Sequence, residues 1–339
     1  MKTFLSDNSS AVHPKILEAI IKCNKKHEVP YGDDIYTKRA VEKFRKIFGK
    51  NVDVYFVTND IAANVIGISS MVEPSETVIC IDNSKTNKCK TLEKITKSKI
   101  SYVKGENGKI TIDSLKDFLR SIETEKEVKP KVVSITQATE IGTVYSLKEV
   151  RELSNFVHEN GLLLHVDGGR ICNAAVSLGV SLKDMIKETG VDLLSFGGTK
   201  NGMMFGEAII SFNRDLTKNL KFIIKQDMQL ISKMRYVSAQ FIAYLEDNLW
   251  KKNAQKSNCM AKILEADLRA IEKVEIIENV QANMIFAKLP REWIDKLRNN
   301  LYFCIVNEEK NIIRMITSFD TTIEDVNKFV TELKRLQDS

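Results

Sequence analysis

The chain has 339 residues, 43% of them hydrophobic and 28% charged, with 15 glycines and only 5 prolines. That composition excludes collagen, a proline-rich spacer and a disordered chain, and the length suits about two domains. The 51 basic and 45 acidic residues leave a net charge of +6, with no arginine-rich stripe of the kind that tracks phosphates, so nucleic acid is not an expected partner.

The first residues, MetLysThrPheLeuSerAspAsn, turn polar after five positions and lack the apolar centre of a signal peptide. His13-Pro14 opens a helical pattern, with proline in the first turn. Short apolar runs then alternate with helical patterns. The runs are Val52 to Val57, Val78 to Ile81, Ile100 to Val103, Val132 to Thr136, Leu162 to Val166, Leu193 to Phe196 and Ala208 to Phe212. Most are continuously apolar rather than alternating, as strands buried on both faces are. Ile61 to Met71 reads as a buried helix after the first strand, and Ser146 with Glu149 forms a capping box for another. Strands alternating with helices predict an α/β fold with a mostly parallel sheet.

The densest basic run, from Lys85 to Lys99, reads as a solvated face. From Asp215 to about Ala270 the pattern is helical throughout, including the long stretch Lys225 to Trp250. Strand-like pieces at 274–277, 283–288, 302–306 and 312–317 follow, interleaved with helices at about 290–299 and 322–337. The expected division is an N-terminal arm over 1–13, a large α/β domain over 14–255 and a small α+β domain over 256–339. No run reaches the 18 apolar residues of a membrane span. Cys23, Cys80, Cys89, Cys172, Cys259 and Cys304 form no CxxC pair and predict neither disulfides nor a metal site. The expected compartment is the reducing cytoplasm.

In an open parallel sheet, ligands sit at the carboxyl ends of the strands. The strand Leu162 to Val166 runs into Asp167-Gly168-Gly169-Arg170. The strand Leu193 to Phe196 runs into Gly197-Gly198-Thr199-Lys200-Asn201-Gly202. An aspartate at a buried strand end costs several kcal/mol unless paired. A lysine in a glycine-rich turn after a buried strand can be desolvated, which favours the neutral, nucleophilic amine. The pair suits pyridoxal phosphate, with the lysine as Schiff base and the carboxylate on the pyridinium nitrogen. An ordinary buried Asp–Lys ion pair is the alternative at this level.

Over nearly its whole length the chain resembles the threonine aldolase group of the β-eliminating lyases, pyridoxal phosphate enzymes of fold type I. The stretches that carry the resemblance are SerAspAsnSerSerAlaValHisPro (6–14), TyrGlyAspAspIleTyrThr (31–37), ValValSerIleThrGlnAlaThrGluIleGlyThrValTyrSer (132–146), HisValAspGlyGlyArg (165–170), SerPheGlyGlyThrLysAsnGly (195–202), GlnLeuIleSerLysMetArg (229–235) and ThrSerPheAspThrThr (317–322). The resemblance implies a mostly parallel seven-stranded sheet flanked by helices, with a smaller C-terminal α+β domain. It makes Lys200 the Schiff-base lysine and Asp167 the pyridinium partner. Arg170 and Arg314 would hold the substrate carboxylate, a task suited to arginine's rigid fork. Ser6 falls at the substrate end of the site and Arg235 near the phosphate and a subunit interface. Tyr31 would reach in from a neighbouring subunit of a dimer or tetramer. The implied reaction is retro-aldol cleavage of small β-hydroxy-α-amino acids, threonine giving glycine and acetaldehyde.

The chain departs from this pattern in several places. Where the family has AsnGlyThrAlaAlaAsn to hold the cofactor phosphate at a helix start, this chain has Asn59-Asp60-Ile61-Ala62-Ala63-Asn64. Ile61 has no hydroxyl. Asp60 beside a phosphate dianion would cost about 4 kcal/mol at 4 Å and an effective dielectric near 20, roughly a 1000-fold loss of affinity. Lys85 stands where a ring-stacking histidine is usual, and a charged lysine neither stacks nor acts as a base at neutral pH. A second family histidine is missing near Lys126 to Lys129. The loop from Asn83 to Lys99 is shorter by about two residues, and Gly169 replaces the usual alanine. Three readings follow: the aldolase, a catalytically impaired or cofactor-poor paralogue acting as a binding or partner subunit, or a different pyridoxal phosphate reaction such as β-elimination or racemisation.

Overall fold

A computed structural model describes residues 2–82, 88–124, 128–298 and 302–338. The strands in chain order are β1 (Asp53–Val57), β2 (Thr77–Ile81), β3 (Lys99–Val103), β4 (Gly105–Glu106), β5 (Lys109–Ile110), β6 (Pro130–Thr136), β7 (Leu163–Gly168), β8 (Leu193–Gly197), β9 (Glu207–Ser211), β10 (Glu275–Ile276), β11 (Met284–Lys288), β12 (Cys304–Asn307) and β13 (Ile312–Ile316). Seven of them form one sheet in the order β1-β9-β8-β7-β6-β2-β3. Pairing is parallel from β8 through β3, whereas β9 runs antiparallel to both its neighbours. Each of the seven apolar runs is one of these strands, because continuous apolar sequence is what a sheet covered on both faces requires. The hairpin of β4 and β5 was not expected; its two-residue strands are too short for a periodic signal.

Helices cover both faces. On one, Phe44 of the Ile35–Phe48 helix and Phe241 of the Arg235–Leu245 helix pack on Phe56 of β1 and Phe196 of β8, with ring centroids 5.0 to 6.4 Å apart. These four side chains are all but fully buried, each contributing about 2–3 kcal/mol of transfer free energy. On the other face, the Asp60–Ser69 helix lies so close to the sheet that a methyl on Gly67 would come within 2.8 Å of Leu193.

The Lys225 to Trp250 stretch is not one helix. Helix Leu220–Gln226 stops, residues 227–234 form a non-helical connection, and helices Arg235–Leu245 and Leu249–Arg269 follow. Tertiary bonds hold the connection open. Gln229 accepts hydrogen bonds from the Thr58 amide and hydroxyl, the Ser232 carbonyl accepts from the Tyr31 amide, and Met228 sits at φ +59°.

The last four strands form a second sheet in the order β10-β11-β13-β12, antiparallel throughout. The Leu249–Arg269 helix serves both cores: Leu249, Trp250 and Ala254 pack with the large sheet, and Ala261, Leu264 and Leu268 with the small one. The N-terminal segment also belongs to the small sheet's core. Phe4 is buried against Phe329, its amide donates to Tyr302 and its carbonyl accepts from Ile316.

Candidate active site

Four chain segments meet at one edge of the large sheet. Strands β1, β7 and β8 end there and β9 begins there, with Val57, Glu207 and Gly197 side by side in register. Asp167 lies at the end of β7, paired with Thr136 and Ser195 on the neighbouring strands. Its Oδ1 accepts from the Gly169 amide at 3.1 Å, an aspartate bonding its own backbone two residues on. Lys200 follows β8 in the 3-10 turn Thr199–Asn201.

Gly169 shows how close these groups are. A Cβ there would lie 3.3 Å from Lys200 Nζ and 3.4 Å from Asp167 Oδ1. The ammonium and the carboxylate therefore flank a single point above the glycine. A Cβ on Gly197 would stand 2.5 Å from the Gly169 carbonyl oxygen, so the two turns touch backbone to backbone.

Lys200 Nζ donates to Asp60 Oδ2 at 2.5 Å. Asp60 is the first residue of the Asp60–Ser69 helix, which Asn59 caps by accepting from the Ala62 amide at 2.9 Å. The unusual carboxylate thus bridges to the lysine instead of standing alone at the helix start. Ile61 is 44% exposed. With Asn59, Asp60, Ile95, Asp227 and Gln229 it lines a cavity of about 330 Å³. One turn further along the helix, both polar atoms of the Asn64 amide are buried without a hydrogen-bond partner.

The two arginines expected at a substrate carboxylate sit differently. Arg170 makes a two-point ion pair with Asp7, Nε to Oδ2 at 2.7 Å and Nη2 to Oδ1 at 3.0 Å. Burial opposes the guanidinium's charge, but Asp7 more than offsets it and the pKa is raised. Ser6 caps the 3-10 turn that carries Asp7, accepting from the Asn8 amide. Arg314 lies on β13 opposite Phe286 and Cys304, and its Nε is buried without a partner.

Arg235 and Tyr31 form a separate wall. Arg235 donates to the Lys26 carbonyl at 2.9 Å and to the Tyr236 hydroxyl at 3.2 Å, while its Nε is buried and unpartnered. Tyr31, at φ +62°, is joined to this wall through Ser232 and is 55% exposed. Lys85 lies outside the described residues, as do Lys126 and Glu127.

Residues 3–290 match the beta-eliminating lyase family. The chain belongs to that family. Among its curated relatives, the low specificity L-threonine aldolase of Pseudomonas sp. (strain NCIMB 10558) is 36% identical over 334 residues, 98% of this chain and 96% of that one. The enzyme of the same name from Pseudomonas aeruginosa is 36% identical over 336 residues. A threonine aldolase of Leishmania major, solved by structural analysis, superposes with a TM-score of 0.93 at 30% identity, covering 99% of this chain and 100% of that one.

Three polar groups of this family member escaped the sequence reading. Asp7 is 1% exposed, and only its position beside Ser6 could have drawn attention to it. His165 is fully buried between two serines, Nδ1 2.8 Å from Ser134 Oγ and Nε2 3.0 Å from Ser195 Oγ. Burial pushes it down to about 4, against the pull of Asp167, so it is neutral at physiological pH. Two residues before Asp167 on β7, it shares that residue's face of the sheet. Glu207 opens β9, and its Oε2 accepts from the Gly198 amide at 2.6 Å. Burial raises it to about 7, opposed by Lys200 and by the Gly198 hydrogen bond. A glutamate directly before the apolar run AlaIleIleSer was the available signal.

Proposed function

We propose that the protein is a pyridoxal 5'-phosphate-dependent carbon–carbon lyase that cleaves small β-hydroxy-α-amino acids, threonine to glycine and acetaldehyde in the simplest case. One observation carries the reading. Lys200 Nζ and Asp167 Oδ1 flank the same point above Gly169, in a chain 36% identical from end to end to L-threonine aldolases.

The residues present fit the cofactor. An amine and a carboxylate stand over one floor, a capped helix starts beside them, and the buried Nε atoms of Arg235 and Arg314 lack partners. Buried polar atoms without partners are uncommon, and these suit an anionic ligand. Lys200 and Asp167 would hold the cofactor, and the helix start at Asp60 and Ile61 would face its phosphate. Arg235, with Tyr31, would approach from a second copy of the chain, because both sit on an exposed wall of their own. The cofactor, when bound, supplies an electron sink for the bond broken at Cα.

The chain's own residues do the rest. Asp167 keeps a proton on the ring nitrogen, and its bond from the Gly169 amide fixes its direction. Arg170 and Arg314 orient the substrate carboxylate with planar forks. Arg170 does so from a fixed position, because Asp7 already takes two of its N–H groups. Ser6 stands at the substrate end beside Asp7. The described cysteines Cys23, Cys80, Cys172, Cys259 and Cys304 are free thiols, and among the described residues no helix is long and apolar enough to cross a membrane. The free thiols support work in the reducing cytoplasm, and the exposed Tyr31 beside Arg235 supports a homo-oligomer.

Titration of the purified protein with pyridoxal phosphate, followed in the visible, tests the reading with Lys200→Ala as control. The expected result is a lysine-dependent band at micromolar cofactor, and then glycine from threonine or allo-threonine. No band at millimolar cofactor would sink the enzyme and favour the partner-subunit alternative. Glycine formation surviving in Lys200→Ala would sink the assignment of the lysine.

A further inference from the structure

Lys200 is served by more than one carboxyl group. Asp60 reaches it from the end of β1, and Asp167 flanks it over Gly169. Glu207 opens β9, the strand between β1 and β8, and so starts between the segments that deliver Asp60 and Lys200. Its side chain turns to the lysine's own turn and accepts the Gly198 amide, two residues before Lys200. The residue is 3% exposed. Met203 packs closely on the turn: a Cβ on Gly198 would meet its Sδ at 2.4 Å and the Gly206 carbonyl at 3.2 Å. Other bonds hold it from behind: Asn201 donates to the Tyr244 hydroxyl at 2.6 Å and to the Trp250 carbonyl at 2.9 Å, and the Asn253 amide donates to the Asn201 carbonyl at 2.8 Å.

We propose that Glu207 is a positioning residue for Lys200. It anchors the lysine's turn through the Gly198 peptide and acts as a further buried anion for the ammonium, beside Asp60 and Asp167. The inference rests on the reading of Lys200 as the functional amine, but not on any bound cofactor. Its physical basis is the cost of a buried carboxyl. In a dry site the charge persists only where a cation and N–H donors face it. The ionisable groups whose fields Glu207 shares are Lys200, Asp60, Cys172 and Tyr244. Of these only Lys200 is a cation. The thiol and the phenol are pushed up by burial, Cys172 to about 12, and stay neutral. Glu207 therefore titrates against the lysine, raised to about 7 by burial and held from rising further by Lys200.

The test is competitive acylation of the cofactor-free, full-length protein across pH, with the Lys200 peptide read by mass spectrometry. The midpoint of reactivity reports the lysine's ionisation directly. Glu207→Gln keeps an acceptor for Gly198 but removes the charge, and should lower the midpoint by about one unit. At a fixed pH below the midpoint that is about a tenfold gain in acylation. An unmoved midpoint in a folded Glu207→Gln protein would overturn the proposal, because a mere acceptor for Gly198 would not shift it. Asp60→Asn tests the idea without touching position 207. With its direct partner gone, the Lys200 midpoint should stay within about one unit of the native protein's. A fall of about two units, as an unpaired buried lysine shows, would equally overturn it. Failure of the cofactor titration beside a shifted acylation midpoint would reject the enzyme reading while leaving the role of Glu207 intact.

Discussion

Asp60 and Lys200 form an ion pair across the end of the large sheet, where β1 and β8 deliver them from either side of β9. Their side chains are 25% and 13% exposed. The pair links the most unusual residue of the helix start to the lysine proposed as the functional amine. A carboxylate there opposes a phosphate in two ways: it repels the dianion and it occupies the amine.

Replacing Asp60 by Gly together with Ile61 by Thr should therefore tighten pyridoxal phosphate binding by at least tenfold. A like-charge contact of about 4 kcal/mol sets the upper end, and solvent screening of a partly exposed pair reduces it. Cofactor titration of the double variant measures the gain. Unchanged affinity would mean that Asp60 does not meet the phosphate.

The Asp7–Arg170 pair predicts a different outcome. Asp7 is 1% and Arg170 13% exposed at the side chain, so removing one partner leaves a buried charge uncompensated. Asp7→Ala should cost about 3–5 kcal/mol. The same change at an exposed pair such as Lys148–Glu152 should cost under about 1 kcal/mol. Calorimetric melting of the two variants makes the comparison, and equal losses would show that Arg170 finds another partner.

The sheet was legible because burial on both faces leaves a plain mark: the run Val132 to Thr136 lies inside the observed strand Pro130–Thr136. The placement of Asp167 and Lys200 at neighbouring strand ends was legible because glycines follow each apolar run. The break at 227–234 was not. Nothing in GlnAspMetGlnLeuIleSerLysMetArg resembles a helix stop, and the connection is held by Thr58 and Tyr31, which are far away in sequence. Asp7 and Glu207 were passed over for a related reason. A single charge beside a short segment shows its burial only once the partners, Arg170 and Gly198, have been brought to it.

The glycines of the two touching turns should respond unequally. Gly169→Ala places a methyl 3.3 Å from the movable end of Lys200 and 3.4 Å from Asp167, and should change stability by less than about 1 kcal/mol. Gly197→Ala drives its methyl to 2.5 Å from the Gly169 carbonyl and 2.7 Å from its Cα. Backbone cannot rotate away as a side chain can, so a cost of about 1–3 kcal/mol follows, with loss of the cofactor band as the turns separate. Denaturant unfolding of both variants reads the difference. A Gly197→Ala protein as stable as Gly169→Ala would contradict the contact.

Two buried groups should give stability opposite slopes with pH. His165 is lowered to about 4, so the unfolded chain takes up its proton first, near the ordinary value of about 6.5. Its contribution is complete above 6.5 and is lost as pH falls towards 4. Glu207 is raised to about 7 from 4.5. The folded state holds that proton longer, so the contribution is complete below 4.5 and is lost as pH rises to 7. Between 4.5 and 6.5 the two oppose each other. Glu207→Gln removes the falling component, so its stability relative to the native protein should rise steadily from pH 4.5 to 7 and then level off. His165→Asn removes the rising component, and its relative stability should fall from pH 4 to 6.5. Melting temperatures of the three proteins at half-unit steps from pH 4 to 8 give both differences. A flat difference curve for Glu207→Gln would mean that its carboxyl ionises alike in the folded and unfolded chains, and that Lys200 and the Gly198 amide fully offset its burial.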